Sequence, residues 1–130
     1  TQGVSSAASD VYKRQVFNNG EMERDFTYID DIVNGVTKII EKNIDSRKHY
    51  KIYNIGNNKT ESLKDFIVII EKAIGKKAIK EMYPMQQGDV PKTYADIDKL
   101  IDDYGYKSRT SMNEGLKNFI NWYKEYINED

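Results

Sequence analysis

One run constrains the fold more than any other: Arg24-Asp25-Phe26-Thr27-Tyr28-Ile29-Asp30-Asp31-Ile32. Its aromatic and β-branched residues suit a short strand, and an apolar pattern of helical spacing follows with no linker. The run therefore reads as a strand that carries a cation to its end and passes directly into a helix. Asp30 or Asp31 can cap that helix, a contribution of about 1 kcal/mol. Ile32, Val33, Val36, Ile39, Ile40 and Ile44 then form one apolar stripe along residues 30–44, leaving Lys38, Glu41 and Lys42 outside it.

Upstream, Val16-Phe17 followed by Asn18-Asn19-Gly20 reads as a strand entering a tight turn, which makes residues 24–29 the second strand of a hairpin. Residues 1–15 differ from the rest: small and polar, without periodicity, they read as a foreign or disordered segment ahead of a domain spanning 16–130. Downstream, Lys51 to Gly56 reads as a strand. Ser62-Leu63-Lys64-Asp65 is a helix start, with Leu63, Phe66, Ile67, Ile70 and Ile74 as the buried face and Gly75 as the stop. A strand over 79–83 ends at Pro84, and a polar loop runs from Met85 to Thr93. Asp96 caps a short helix, 97–103, that stops near Gly105. Ser111-Met112-Asn113-Glu114 opens a last helix whose Leu116, Phe119, Ile120, Tyr123 and Ile127 share a face; this stripe and Trp122 read as packing residues. The fold class is mixed α/β.

Bulk properties exclude several functions. Twenty basic against 21 acidic side chains leave no field for nucleic acid or a membrane surface. No run of about 18 apolar residues is present to span a bilayer. With no cysteine and one histidine, His49, a thiolate or multi-histidine metal site is excluded. His49 itself reads as a solvated loop residue. A soluble cytoplasmic protein is the default expectation.

Dinucleotide binding needs a glycine-rich turn between a strand and a helix, so that backbone amides can approach a pyrophosphate. The eight glycines are scattered, and Gly56, which follows a strand, lacks the others. Hydride chemistry of the short-chain dehydrogenase type needs a tyrosine with a lysine one helical turn later. None of the ten tyrosines has a lysine four residues on. No catalytic, cofactor-binding or metal-binding residue is assigned within this chain. Two side chains are candidates for ligand contact. Arg24 is a permanent cation whose fork suits phosphate oxygens, although beside Glu23 and Asp25 it also fits an ordinary surface pair. Asp89, on the Met85–Thr93 loop, can accept both hydroxyls of a ribose, although Gly-Asp is also common turn chemistry. Asp30 and Asp31 resemble an acid–base pair but sit where a helix cap and a dipole partner belong.

Three segments resemble one family, the nucleotide-sugar epimerases of the extended short-chain dehydrogenase/reductase group. They are Arg24 to Ile32, Tyr53-Asn54-Ile55-Gly56, and Pro84 to Val90 continuing to Thr93-Tyr94-Ala95-Asp96, in matching order across residues 16–130. Met85-Gln86-Gln87-Gly88-Asp89-Val90 is most similar to UDP-glucuronate 4-epimerases. The resemblance implies the C-terminal, substrate-binding portion of an extended Rossmann-type enzyme with its Rossmann core missing. It implies that Arg24 contacts the diphosphate of a UDP-sugar and that Asp89 holds the uridine ribose. Where relatives often carry a second arginine, this chain has Gln86 and Gln87, which can donate hydrogen bonds but supply no charge. NAD, the catalytic tyrosine–lysine pair and a homodimer interface are implied for the intact enzyme, upstream of this chain, which alone would be inactive. The resemblance further implies that helix 30–44 and strand 51–55 pack on the missing Rossmann sheet. A dehydratase, decarboxylase or reductase of the same superfamily, or an autonomous α/β binding module without enzymology, are the other readings.

Overall fold

Asn18, Asn19 and Gly20 all lie at positive φ, 49°, 49° and 80°, as their composition predicts for a sharp turn. The computed structural model describes residues 13–42 and 50–127; His49, Ile44 and residues 1–12, about which the sequence made predictions, lie outside the described residues. The element order is β1 (Lys13–Val16), a 3-10 turn (Phe17–Gly20), β2 (Glu23–Arg24), α1 (Ile29–Glu41), β3 (Glu61–Ser62), α2 (Leu63–Ile74), β4 (Ile79–Met82), α3 (Asp98–Tyr104) and α4 (Met112–Tyr126).

The turn does not close the expected hairpin. β1 pairs in parallel with β4, from Lys13 opposite Ile79 to Val16 opposite Met82. β2 pairs antiparallel with β3, placing Arg24 opposite Glu61. The reason is local: the Asn19 amide donates to the Tyr83 carbonyl at 3.1 Å, and the Tyr83 amide to the Val16 carbonyl at 2.9 Å. The end of β4 thus occupies the edge that a hairpin partner would need. Lys13 to Gln15, which the sequence grouped with the foreign segment, belong to β1.

α1 starts one residue before the two aspartates. Its N-cap is Tyr28, with no side-chain cap bond, and Asp30 and Asp31 lie in the first turn. Asp31 does not cap; it faces inward and is 6% exposed. Gly35 rests against Tyr106, where an added Cβ would stand 3.0 Å from the ring and would push it back by a few tenths of an ångström. Ile39 reaches the core, but Val33, Val36 and Ile40 remain exposed, Ile40 at 77%.

The expected strand over 51–55 has no ladder partner among the described residues and carries no regular secondary structure. Its two-residue alternation survives: Tyr53 and Ile55 pack on the core while Ile52 is exposed. α2 forms as its signals require. Ser62 Oγ accepts from the Lys64 amide at 3.1 Å, and Gly75 closes the helix at φ 76°. Phe66 stacks on Phe26 with centroids 4.3 Å apart, whereas Ile74, expected in the buried face, is exposed. The side chain of α2 that is most buried is instead Glu71, at 5% exposure. Its carboxylate lies 2.9 Å from the Lys80 ammonium and accepts from the Ala78 amide at 3.0 Å, so its burial is fully compensated.

Asp96 Oδ1 accepts from the Asp98 amide at 3.1 Å, one residue ahead of the formal N-cap Ile97, and Gly105 closes α3 at φ 63°. The core is built here: Ile97, Leu100, Tyr104 and Tyr106 are buried, with Ile39, Tyr53, Ile55 and Ala95 packed against them. Ser111 Oγ accepts from the Glu114 amide at 3.2 Å and opens α4, which packs on α2. Only part of its stripe is used. Ile120 is buried, but Phe119, Tyr123 and Trp122 are exposed, Trp122 at 54%, contrary to the packing role read from sequence. They lie on a second face and contact one another, Phe119 tilted against Trp122 at 5.7 Å and Trp122 stacked on Tyr126 at 5.4 Å. No helix among the described residues is long and apolar enough to cross a membrane.

Candidate functional site

Glu23 is the centre of a small backbone frame. On one side β2 pairs with β3; on the other, the Glu23 amide donates to the Pro91 carbonyl at 2.8 Å and the Thr93 amide donates to the Glu23 carbonyl at 3.2 Å. The residue that follows, Arg24, is therefore mounted on backbone held from both edges. Lys92 lies 2.9 Å from Glu23 Oε2 and holds that carboxyl below its ordinary value of 4.5.

The two sequence-predicted ligand contacts come together at this frame. Arg24 Nη2 donates to Asp89 Oδ1 at 3.1 Å across 65 residues of sequence, with the two side chains 28% and 34% exposed. Arg24 Nη1 donates to its neighbour's carbonyl, Glu23, at 2.8 Å and to Pro91 at 3.2 Å. These bonds aim the guanidinium without exhausting its fork of donors. Asp89 Oδ1 also accepts from the Val90 amide at 2.8 Å, an Asx-type contact that fixes the carboxylate on its loop. A cation able to fork onto phosphate and a carboxylate able to accept hydroxyls thus share one open surface.

The sequence reading missed Asp25, which it treated as a possible surface partner of Arg24. Its Oδ1 accepts from the Asn57 amide at 2.8 Å and from Thr27 Oγ1 at 2.9 Å; its Oδ2 accepts from the amides of Asn58 and Ala95, each at 3.1 Å. The available signal was a lone carboxylate inside an aromatic and β-branched run, a position that needs donors if it turns inward.

Asp30 stays exposed, so the adjacent carboxylates do not form an acid–base pair. Asp31 accepts from the Thr110 amide at 2.9 Å, from Ser108 Oγ at 3.0 Å and from the Arg109 amide at 3.2 Å. Burial alone would raise its carboxyl; the amides of Thr110 and Arg109 and the Ser108 hydroxyl outweigh that and leave it below 3.8. Asp31 ties the start of α1 to the approach of α4 and is structural.

Two cavities lie elsewhere. One, about 430 Å³, is lined by Tyr53, Asn54, Asp98, Lys99 and Asp103 among others. There Asp103 accepts from Tyr53 Oη at 2.6 Å and Lys51 at 2.7 Å, and burial together with that carboxylate pushes the Tyr53 phenol up to about 12. The other, about 380 Å³, is mainly apolar and lies between α2 and β1. Among the described residues no cluster of three or more histidine, cysteine or carboxylate groups suits a metal ion. Gly56 is not a cofactor glycine: an added Cβ would stand 2.6 Å from the Ala95 Cβ and 2.8 Å from Asp25 Oδ2, so its open side is already filled.

Comparison with known proteins places the chain in a family. Residues 2–56 match the model of the NAD dependent epimerase/dehydratase family. The chain is 50% identical over 111 residues to an uncharacterized protein of Methanocaldococcus jannaschii, covering 85% of this chain and 33% of that protein. It is 37% identical over 125 residues to a probable UDP-glucuronate 4-epimerase of Rhizobium meliloti, covering 85% of this chain and 37% of that one. The crystal structure of UDP-glucuronic acid 4-epimerase from Bacillus cereus, in complex with UDP-glucuronic acid and NAD, superposes with a TM-score of 0.73 at 32% identity, over 86% of this chain and 35% of that one. The chain thus spans little more than a third of the length of these proteins. It belongs to the NAD dependent epimerase/dehydratase family and corresponds to the C-terminal portion of a Rossmann-type member.

Proposed function

We propose that this chain is the substrate-side portion of an NAD-dependent UDP-sugar 4-epimerase, with UDP-glucuronate and UDP-galacturonate as the interconverted pair. The observation that carries the reading is the meeting of Arg24 and Asp89, 65 residues apart in sequence and 3.1 Å apart in space. Arg24 contacts the diphosphate, where a charge-assisted fork is favoured, and Asp89 accepts the ribose hydroxyls. The substrate is argued from the relatives of more than 30% identity, which include a UDP-glucuronic acid 4-epimerase in complex with UDP-glucuronic acid and NAD.

The dinucleotide-binding turn belongs outside this chain. The glycine that follows the segment 51–55, Gly56, is closed off by Asp25 and Ala95, and its carbonyl accepts from Tyr106 Oη at 3.1 Å. The redox centre and the catalytic groups belong to the remainder of an intact, soluble, homodimeric enzyme. Residues 16–130, together with Lys13 to Gln15 of β1, form the substrate-binding part. The exposed Val33, Val36 and Ile40 of α1 and Ile52 of the unpaired segment form the face that meets the cofactor part, and the chain by itself is inactive.

Titration of the chain with UDP and with uridine tests the reading. UDP is expected to bind more tightly than uridine, and Arg24→Ala to remove about 1.5–3 kcal/mol of the UDP affinity while leaving uridine unaffected. Asp89→Ala is expected to weaken both ligands. Equal affinity for UDP and uridine in the unmodified chain would count against the diphosphate contact and favour a binding module of another kind.

A further inference from the structure

The Asp25 carboxylate gathers four donors from three places in the chain: Thr27 beside it, Asn57 and Asn58 beyond α1, and Ala95 beyond the Asp89 loop. It adjoins Arg24 but touches none of the groups that Arg24 touches. Two features show what it holds. First, the pairing of Glu23 with Pro91 and Thr93 would end at Thr93 if backbone groups alone were available; the Ala95 amide instead donates to Asp25 Oδ2, so the side chain extends the pairing by one more step. Second, among the described residues no backbone–backbone hydrogen bond joins residues 56–58 to β2 or to the segment 91–95. The Asp25 carboxylate makes that connection, and Gly56 is the residue whose missing side chain admits both Asp25 and Ala95.

We infer that Asp25 is a positioning residue, which fixes segments 56–58 and 91–95 against β2 and so sets the register at which Asp89 meets Arg24. The inference rests on the UDP reading above for its consequence in binding, but the frame itself is independent of ligand. A carboxylate is required because all four partners donate; an amide would turn an N–H toward one pair of them. Asp25 acts through Arg24 and Asp89 and does not touch the ligand.

The experiment uses the chain, isotopically labelled, in five forms: unmodified, Asp25→Asn, Gly56→Ala, Arg24→Ala and the double variant R24A/D25N. Amide hydrogen exchange and titration with UDP are followed by NMR. Asp25→Asn is expected to speed exchange at Asn57, Asn58 and Ala95 together, leaving Ile120 in α4 protected, and to weaken UDP about tenfold. Gly56→Ala keeps every charge yet displaces the carboxylate, so it gives the same pattern and serves if Asp25→Asn does not fold. In the Arg24→Ala background, adding Asp25→Asn is expected to weaken UDP about threefold and not tenfold, because the share of its effect that passes through Arg24 is already lost and only the share through Asp89 remains. Losses that multiply fully would overturn the positioning role, since a merely structural residue gives that result. Unchanged exchange at Asn57 and Ala95 in both Asp25→Asn and Gly56→Ala would overturn it too. If the unmodified chain does not prefer UDP to uridine, the functional reading fails by itself; the exchange pattern then decides whether Asp25 holds the frame.

Discussion

Asp31 shows how a carboxylate serves a helix start without capping it. Its acceptor capacity is used across 77 to 79 residues of sequence, on Ser108, Arg109 and Thr110, and not on the first turn of its own helix. Asp31→Ala leaves part-buried amides without their acceptor, so stability should fall by about 1–2 kcal/mol. A lower urea midpoint at constant slope would register this, and an unchanged midpoint would contradict it. Glu71 provides a pH signature. The hydrogen bond from Lys80, foremost, and that from the Ala78 amide hold its carboxyl at about 2 against the ordinary 4.5, while burial opposes them. The folded value is depressed, so protons bind the unfolded chain more readily. The resulting stabilisation is full above pH 4.5 and is lost as pH falls through about 2. Glu71→Gln should flatten the dependence of melting temperature on pH across that window. Parallel profiles for the two proteins would show that Glu71 contributes nothing there.

At the scale of elements, local signals specified α2 and α4 well and α1 less well. Ser62 and Ser111 accept amides of their own first turns, and Gly75 and Gly105 take the left-handed conformation that ends a helix. Ser62→Ala should cost about 1 kcal/mol, seen as earlier melting of the whole domain because α2 packs on α4. A change within error would mean that water replaces the hydroxyl at no cost. α1 has aspartates in its first turn but a tyrosine at its N-cap, since Asp31 is taken by the loop after α3. Residues 51–56 kept the alternation of a strand but found no strand partner, because alternation specifies which side chains face inward and not what pairs with the backbone.

The whole molecule combines a small aromatic core around α3 with wide apolar faces that this chain does not cover. Val33, Val36 and Ile40 on α1, together with Ile52, face solvent. At about 25 cal/mol per Å² of apolar surface, such faces favour association over solvation. The isolated chain should therefore self-associate at high concentration or unfold with low cooperativity. Val33→Lys with Ile40→Lys should reduce association in sedimentation without lowering the melting temperature, because neither side chain packs on the described core. A monomer with a sharp, reversible transition in the unmodified chain would contradict this.

What the sequence by itself determined is what a few neighbouring residues can enforce: the positive-φ turn at Asn18 to Gly20, the serine caps and the terminating glycines; it also singled out Arg24 and Asp89 as candidates. Tertiary structure alone decided that β1 pairs with β4 and not with residues 24–29, which apolar faces of α1 and α4 are covered, and that Arg24, Asp89 and the Asp25 frame converge. Those outcomes depend on groups 32 to 70 residues apart competing for the same donors and surfaces. Local propensity is blind to that competition, because the winning partner is named only when the chain has folded.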